Sequence, residues 1–398
     1  MLRFLTAGES HGSSLTVIVE GLPAGLAVTQ EQIGEELARR RLGYGRGPRM
    51  RFERDELRLS AGIRHGRTLG SPVAIEILNS EWPKWQQEMS AAPGEPRDKL
   101  TTPRPGHADL AGMQKYSFDD ARDVLERASA RETAARVVAG VLAKALIKEI
   151  GVSIVSHVVR IGTVATREGV RPGPKDLSVV DDSEVRCFDA ESARAMIAEI
   201  KAAAKEGDSL GGIVEVVAYG VPVGLGSYVH WDRKMDGLLA GALMSIQAVK
   251  AVEIGDGMRQ ATQRGSEAHD AIAKEEDFTS GGGYVRKSDH AGGLEGGMTS
   301  GAPLIAKVAM KPLSTLNRPV LETVDVATGA PTVSFKERTD VTAVPALGVV
   351  AEAMMALVLA DESMRKFGGD SIEEFARNYS SYIAHLGSTS SAARPASK

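Results

Sequence analysis

The chain has 398 residues, 42% of them apolar, with 48 basic side chains against 52 acidic for a net charge of −4. That is enough material for a large core, and it excludes a general nucleic-acid binder, which carries a basic excess. The single cysteine, Cys187, excludes an internal disulfide and argues against a thiolate metal cluster, in keeping with a reducing cytosol.

In chain order, residues 3–7 read as a short strand that meets Glu9 too early to hold the apolar stretch of a signal peptide, so a soluble cytoplasmic protein is expected. The strand ends in Gly8-Glu9-Ser10-His11-Gly12. Its G-x-S-x-G spacing matches a nucleophile elbow, but that elbow follows several strands, and no Ser–Asp–His order is assignable. What survives is His11 between two small residues, in a turn that presents an imidazole to a cleft. Residues 16–20 read as a strand running into Gly21-Leu22-Pro23-Ala24-Gly25-Leu26, followed by a helix over 30–41.

Seven arginines then lie between Arg39 and Arg54. The helix dipole accounts for Arg39 to Arg41. It does not account for Arg46 and Arg49, which continue into a glycine-rich loop. Guanidinium forks grip phosphate and carboxylate, so a small polyanion is favoured. A nucleic-acid patch would interleave aromatics, and between Arg39 and Met50 only Tyr44 does so.

Residues 81–104 form a long polar, proline-containing loop whose large apolar groups are Trp82 and Trp85. It leads to Pro103-Arg104-Pro105-Gly106-His107-Ala108-Asp109, where two prolines and a glycine fix the backbone. A lone loop histidine is ordinarily a surface residue; Arg104 and Asp109 beside it make His107 a candidate catalyst. No metal-ligand spacing accompanies any histidine, so no metal is expected. Ser129-Ala130-Arg131-Glu132 reads as a capping box ahead of a helix to about residue 150. Residues 134–147 are the most apolar helical stretch of the chain; they carry Arg136 and Lys144, fall short of a membrane span and read as a buried helix.

The second half repeats the first. Residues 213–219 run into Gly220-Val221-Pro222-Val223-Gly224-Leu225, and the spacing Gly62, Gly66, Thr68, Gly70, Pro72 recurs as Gly293, Gly297, Thr299, Gly301, Pro303. A helix follows the first motif each time (30–41 and 234–254), and a strand follows the second (73–78 and 304–310). Two matches in register favour a duplicated α+β unit, with halves at about 1–160 and 205–365 inside one domain, 1–386. Such a unit buries two sheets against shared helices and leaves a cleft between the halves. Residues 264–283 form a charged loop, Lys311-Pro312-Leu313-Ser314-Thr315 and Arg338-Thr339-Asp340 precede a buried helix over 345–360, and the Ser/Ala tail 387–398 is expected to be disordered. Neither a P-loop nor G-x-G-x-x-G opens a helix, so neither nucleotide motif supports an ATPase or a Rossmann dehydrogenase.

Taken together, residues 8–12, 39–50, 104–109, 127–133, 292–297, 311–315 and 338–340 resemble the chorismate synthase family, in family order over about residues 1–360. The resemblance implies loss of phosphate from 5-enolpyruvylshikimate 3-phosphate by anti-1,4-elimination, the last step of the shikimate pathway. It implies reduced FMN without net redox change, and a β-α-β sandwich with helices between two antiparallel sheets, assembled as a homotetramer. Arg40, Arg46, Arg49, Arg104, Arg131 and Arg338 would bind the substrate. His11 would protonate the departing phosphate, His107 would govern protonation of the flavin, and Asp340 would assist proton removal. Imidazole suits the first two tasks because its ordinary pKa lies near working pH. FMN would be held by Arg127, Ala128, Ser129, Gln247, Ala248, Gly296, Lys311, Pro312, Leu313, Ser314, Thr315 and Arg338, with Gln247 and Ala248 in the second-copy helix.

Two positions depart from the family pattern: Thr339, where Ser or His is expected, and Asp289, where Asn is usual. The missing dinucleotide fingerprint favours an external flavin reductase over reduction by NADPH. The competing readings are a flavin-independent phosphate lyase or phosphatase, and a binding module for anionic polymers.

Overall fold

The computed structural model describes residues 1–46, 55–275, 281–334 and 339–391. β1 (Arg3–Ala7) turns into β2 (Ser14–Glu20), where Leu15, Val17 and Val19 are buried, as period-two patterning requires. α1 (Gln30–Arg41) starts at Thr29, whose hydroxyl accepts the Gln32 N–H at 3.2 Å while Gln32 Oε1 accepts the Thr29 N–H at 3.0 Å. β3 (Glu56–Ala61), the short hairpin β4 (Ile63–Arg64) and β5 (Arg67–Thr68), and β6 (Val73–Leu78) follow. The first sheet has the antiparallel order β1-β2-β6-β3.

Next come α2 (Trp82–Trp85), α3 (Asp109–Tyr116), α4 (Arg122–Ala128) and α5 (Thr133–Lys148). The second sheet is built from β7 (Ser153–Ile161), β8 (Val164–Ala165), β9 (Gly212–Tyr219), β10 (Val249–Ile254) and the later β15, with α6 (Met235–Met244) between β9 and β10. Two hairpins, β11 (Ile272–Lys274) with β12 (Tyr284–Arg286) and β13 (Leu294–Glu295) with β14 (Met298–Thr299), precede β15 (Leu304–Met310). The order is β10-β15-β9-β7-β8, again antiparallel. α7 (Val344–Phe367) and α8 (Ile372–Ser391) end the described chain. The class is α+β.

α5 packs on β2 and on α7, and α7 packs on β7 and β9, so the core lies along these two helices. Both are apolar nearly all round, the pattern of helices covered on every side. They meet at Gly140, where an added Cβ would stand 2.3 Å from the Ala353 Cβ.

The repeated turns have the same hydrogen bonds. Thr68 Oγ1 accepts the Leu26 N–H at 3.0 Å and donates to Pro23 O at 2.6 Å; Thr299 Oγ1 accepts the Leu225 N–H at 2.8 Å and donates to Pro222 O at 2.6 Å. The C-terminal segment reaches both turns. Ala24 N–H donates to Asp370 O at 2.8 Å, and the Tyr382 hydroxyl donates to Val223 O at 3.1 Å.

Four sequence expectations change. The helix expected over 234–254 ends at Met244, and Val249–Ile254 is the edge strand β10: its β-branched residues pair with β15 after a turn at Ala248, whose φ is +66°. Gln247 and Ala248 therefore lie in a turn, not in a helix. Ser129 does cap, accepting the Arg131 N–H at 3.3 Å, but Glu132 turns away to other partners, and a short 3₁₀ turn precedes α5. The longest apolar helix is α7, nearly all of it buried in the core. Helix continues to Ser391, and its first part packs through Phe375, Tyr379 and Tyr382 on Phe367; residues 392–398 lie outside the described residues.

Candidate active site

The turn between β1 and β2 carries His11. Gly8 opens it at φ +102°, where a side chain would meet Ser14 O at 2.3 Å. Ser10 N–H donates to Glu126 O at 2.9 Å, and Asn79 Nδ2 donates to Gly12 O at 2.9 Å, so the loop is pinned from two elements. His11 Nδ1 stands 2.8 and 3.1 Å from the two carboxylate oxygens of Glu126, on α4. Burial pushes the Glu126 carboxyl up; the hydrogen bonds from His11 and the neighbouring positive charge outweigh it and hold the group below its usual range. Ser10 Oγ accepts from Ser129 Oγ at 3.2 Å.

The loop 103–109 is built around Asp109, which is fully buried at the start of α3. Its carboxylate accepts the Arg104 N–H at 3.1 Å, Arg104 Nε at 2.8 Å, Arg104 NH2 at 3.2 Å and His107 Nδ1. Burial raises the acid, and these donors pull it far below the usual carboxylate range. At His11 the carboxylate accepts and does not donate, so Nδ1 carries the hydrogen; His107 Nδ1 lies against both the Asp109 carboxylate and the donor Arg104 NH2, the latter at 3.0 Å. Arg104 NH1 also reaches Thr315 Oγ1 at 3.2 Å, and Lys311 Nζ donates to Gly106 O.

The two loops are linked through the middle of the molecule. Glu132 accepts from Thr6 Oγ1 at 2.7 Å, Arg136 Nε at 2.8 Å and Gln247 Nε2 at 2.9 Å. Ala248 O accepts the Lys311 N–H at 3.0 Å, and Lys311 closes on the His107 loop. Thr6, Arg127, Glu132, Arg136, Ser245 and Gln247 line an open cleft of about 430 Å³. Gln247 Oε1 is buried without a hydrogen-bond partner, and Arg127 NH2 donates to Thr6 O at 2.8 Å. An orphaned acceptor with two guanidinium groups nearby fits a ligand that brings N–H donors and negative charge.

The arginine run divides. Arg39 turns inward to Glu36, Asp181 and the fully buried Glu352, and Arg41 pairs with Asp55. Arg40 is buried, with Nε on Thr133 Oγ1 at 3.0 Å and NH2 on Ala130 O at 3.2 Å. Arg46 pairs with Asp340 at 3.1 Å. Arg131 is half-buried beside Ser129. Arg49 and Arg338 lie outside the described residues.

Residues 2–364 match the family model described as chorismate synthase. The chain belongs to the chorismate synthase family. It is an enzyme, a lyase acting on a small molecule. A chorismate synthase of Salinispora tropica is 59% identical over 395 residues, covering 97% of this chain and 99% of that one. One from Thermobifida fusca is 57% identical over 396 residues, with the same two coverages. A solved structure titled "Crystal Structure of Chorismate Synthase" matches with a TM-score of 0.78 at 40% identity, over 97% of this chain and 98% of that one.

Against the family expectation, most of the named flavin-site residues meet. Arg127, Ala128 and Ser129 adjoin the His11 turn; Gln247, Ala248 and Lys311 form the link just described. Pro312, Leu313, Ser314 and Thr315 continue it, with Leu313 O accepting Ser209 Oγ at 2.7 Å. Gly296 stands apart. It lies in the turn between β13 and β14, beside Gly297, whose neighbour is Lys234 at the start of α6, whereas Gln247 follows the end of that helix. Ten residues of helix, about 15 Å, separate the two ends. Asp289, the departure from the family pattern, lies 3.3 Å from Arg171 NH1. Burial pushes the Cys187 thiol up to about 11, so it is an inert core group. Among the described residues, no group of three or more His, Cys, Asp or Glu could hold a metal. Sequence reading missed Glu126 and Trp85 at His11; neither lies in a motif that marks it.

Proposed function

We propose that this enzyme eliminates phosphate from 5-enolpyruvylshikimate 3-phosphate in the anti-1,4 sense to give chorismate, with reduced FMN and no net redox change. The observation that carries the reading is the continuous run of contacts from the His11 turn through Glu132, Gln247, Ala248 and Lys311 to His107. It connects the loops of two carboxylate-held imidazoles by way of Thr6, Glu132 and Gln247, which also line the cleft. FMN, when bound, supplies transient electron density that assists cleavage of the C–O bond. Arg127, Ala128, Ser129, Gln247, Ala248, Gly296, Arg338 and residues 311–315 would hold it, and the unpartnered Gln247 Oε1 supports that fit.

Arg40, Arg46, Arg49, Arg104, Arg131 and Arg338 hold the phosphate and two carboxylates of the substrate. The scissile C–O electron pair leaves with phosphate, which takes a proton from His11. Asp340 assists removal of the ring proton; its carboxylate lies 3.1 Å from Arg46 Nε. His107, oriented by Asp109, governs protonation at the cofactor.

The architecture proposed is a β-α-β sandwich from a duplicated unit, halves at about 1–160 and 205–365 in one domain, 1–386. The matched bonds of Thr68 and Thr299 support the duplication. A cytoplasmic homotetramer supplied with flavin by an external reductase completes the reading.

The test is phosphate release from the pure protein. Release only with reduced FMN is expected. Turnover without flavin would favour a flavin-independent lyase or phosphatase, and salt-sensitive polyanion binding without turnover a binding module. His11→Ala and His107→Ala should each lower kcat about 10²–10⁴-fold with KM little changed. Unchanged rates in both would remove their assigned roles.

A further inference from the structure

His11 is held on two sides by groups to which no step of the reaction above is assigned. Both carboxylate oxygens of Glu126 face Nδ1, and Oε2 also accepts the His11 backbone N–H at 2.8 Å. The Glu126 side chain is 2% exposed, so water does not compete for it. Trp85, on α2, lies against the imidazole with ring centroids 4.0 Å apart and planes 28° from parallel. The Arg122 guanidinium stands 5.2 Å from the Trp85 ring and bonds Glu126 Oε1 at 3.3 Å, with Glu88 3.6 Å from its Nε. His11, Trp85, Arg122 and Glu126 therefore form a closed ring of contacts that only the docked 81–104 loop completes.

We propose that Glu126 and Trp85 are positioning residues for His11, fixing which ring nitrogen meets the substrate and in which plane. An ionised carboxylate accepts hydrogen bonds and cannot donate, so Nδ1 carries a hydrogen and Nε2 is the atom that exchanges a proton. The imidazolium gives its Nε2 proton to a phosphate oxygen and becomes the neutral Nδ1–H tautomer, which Glu126 still satisfies. The opposite tautomer would set a bare lone pair against a carboxylate. Trp85 removes the ring's freedom to rotate about the Nδ1 contact and covers one face from solvent. The role in turnover rests on the function proposed above; the tautomer does not.

The experiment combines solid-state ¹⁵N spectra of histidine-labelled full-length protein with steady-state kinetics, His11→Asn assigning the signal. The wild type should display His11 with Nδ1 protonated, Glu126→Gln a mixture of tautomers, and Trp85→Phe the wild-type pattern. In kinetics, Glu126→Gln should lower kcat about 10–100-fold at nearly constant KM, and Trp85→Phe should rescue most of what Trp85→Ala loses. Adding Glu126→Gln to His11→Ala should cost nothing further, because a group that acts through another is silent without it. An Nε2–H wild type, an unchanged spectrum in Glu126→Gln, or full additivity in the double variant would overturn the proposal. If the wild type fails to turn over, the proposed function falls, and the spectra still decide the role of Glu126.

Discussion

Replacing Asp109 by Asn tests the most heavily used carboxylate in the site. Its oxygens accept three donors from Arg104 and one from His107, with no exposure to solvent. Asn keeps the shape but turns one acceptor into a donor, and it leaves the Arg104 guanidinium, 8% exposed, without a counter-charge. Breaking a buried pair in this way costs about 3–5 kcal/mol. At about 2 °C per kcal/mol, the thermal midpoint should fall by roughly 6–10 °C near neutral pH. The carboxyl is depressed in the folded protein, so its contribution is complete above the unfolded value, near 4, and is lost as the pH falls towards the lower native value. Differential scanning at pH 7 and in steps below pH 4 reads both effects: the gap between wild type and variant should be full at pH 7 and narrow in acid. Equal midpoints at pH 7, or a gap that persists undiminished in acid, would refute the reasoning.

Thr68→Val and Thr299→Val each remove a hydroxyl that accepts one backbone N–H and donates to one carbonyl. Each should cost about 1–3 kcal/mol in urea unfolding, and by matching amounts; a large loss at one site only would argue against equivalent halves. Gly140→Val would drive a side chain into Ala353 and should destabilise by about 1–3 kcal/mol or more, read from the urea midpoint, whereas Gly34→Ala, in open space on α1, should not destabilise.

What could be read from the sequence was whatever chemistry kept close together along the chain. Asp109 lies two residues from His107, so a loop motif displayed both. Glu126 lies 115 residues from His11 and one residue before the family-like stretch at 127–133, and no local pattern marks it. Glu132 carried a strong local signal, the capping box, but tertiary contacts to Thr6, Arg136 and Gln247 took its carboxylate instead. Val249–Ile254 was misread for a related reason: six residues after a helix follow the helical register until β15 offers a partner. Arg40 illustrates the converse, a residue expected to grip an anion whose described bonds go to Thr133 and Ala130. The pair of matching turns was legible because glycine, proline and threonine are demanded by turn geometry itself, and those demands recur wherever the turn recurs.

The segment around Asp370 to Tyr382, which fastens both repeated turns, has a temporal consequence. A ribosome adding about 5–20 residues per second needs on the order of 20–70 s to travel from Ala24 to Asp370. The first turn is thus made early and waits for its clasp until nearly the whole chain has emerged. Until then neither turn has its C-terminal partner, and a chain broken before residue 370 would lack both bonds.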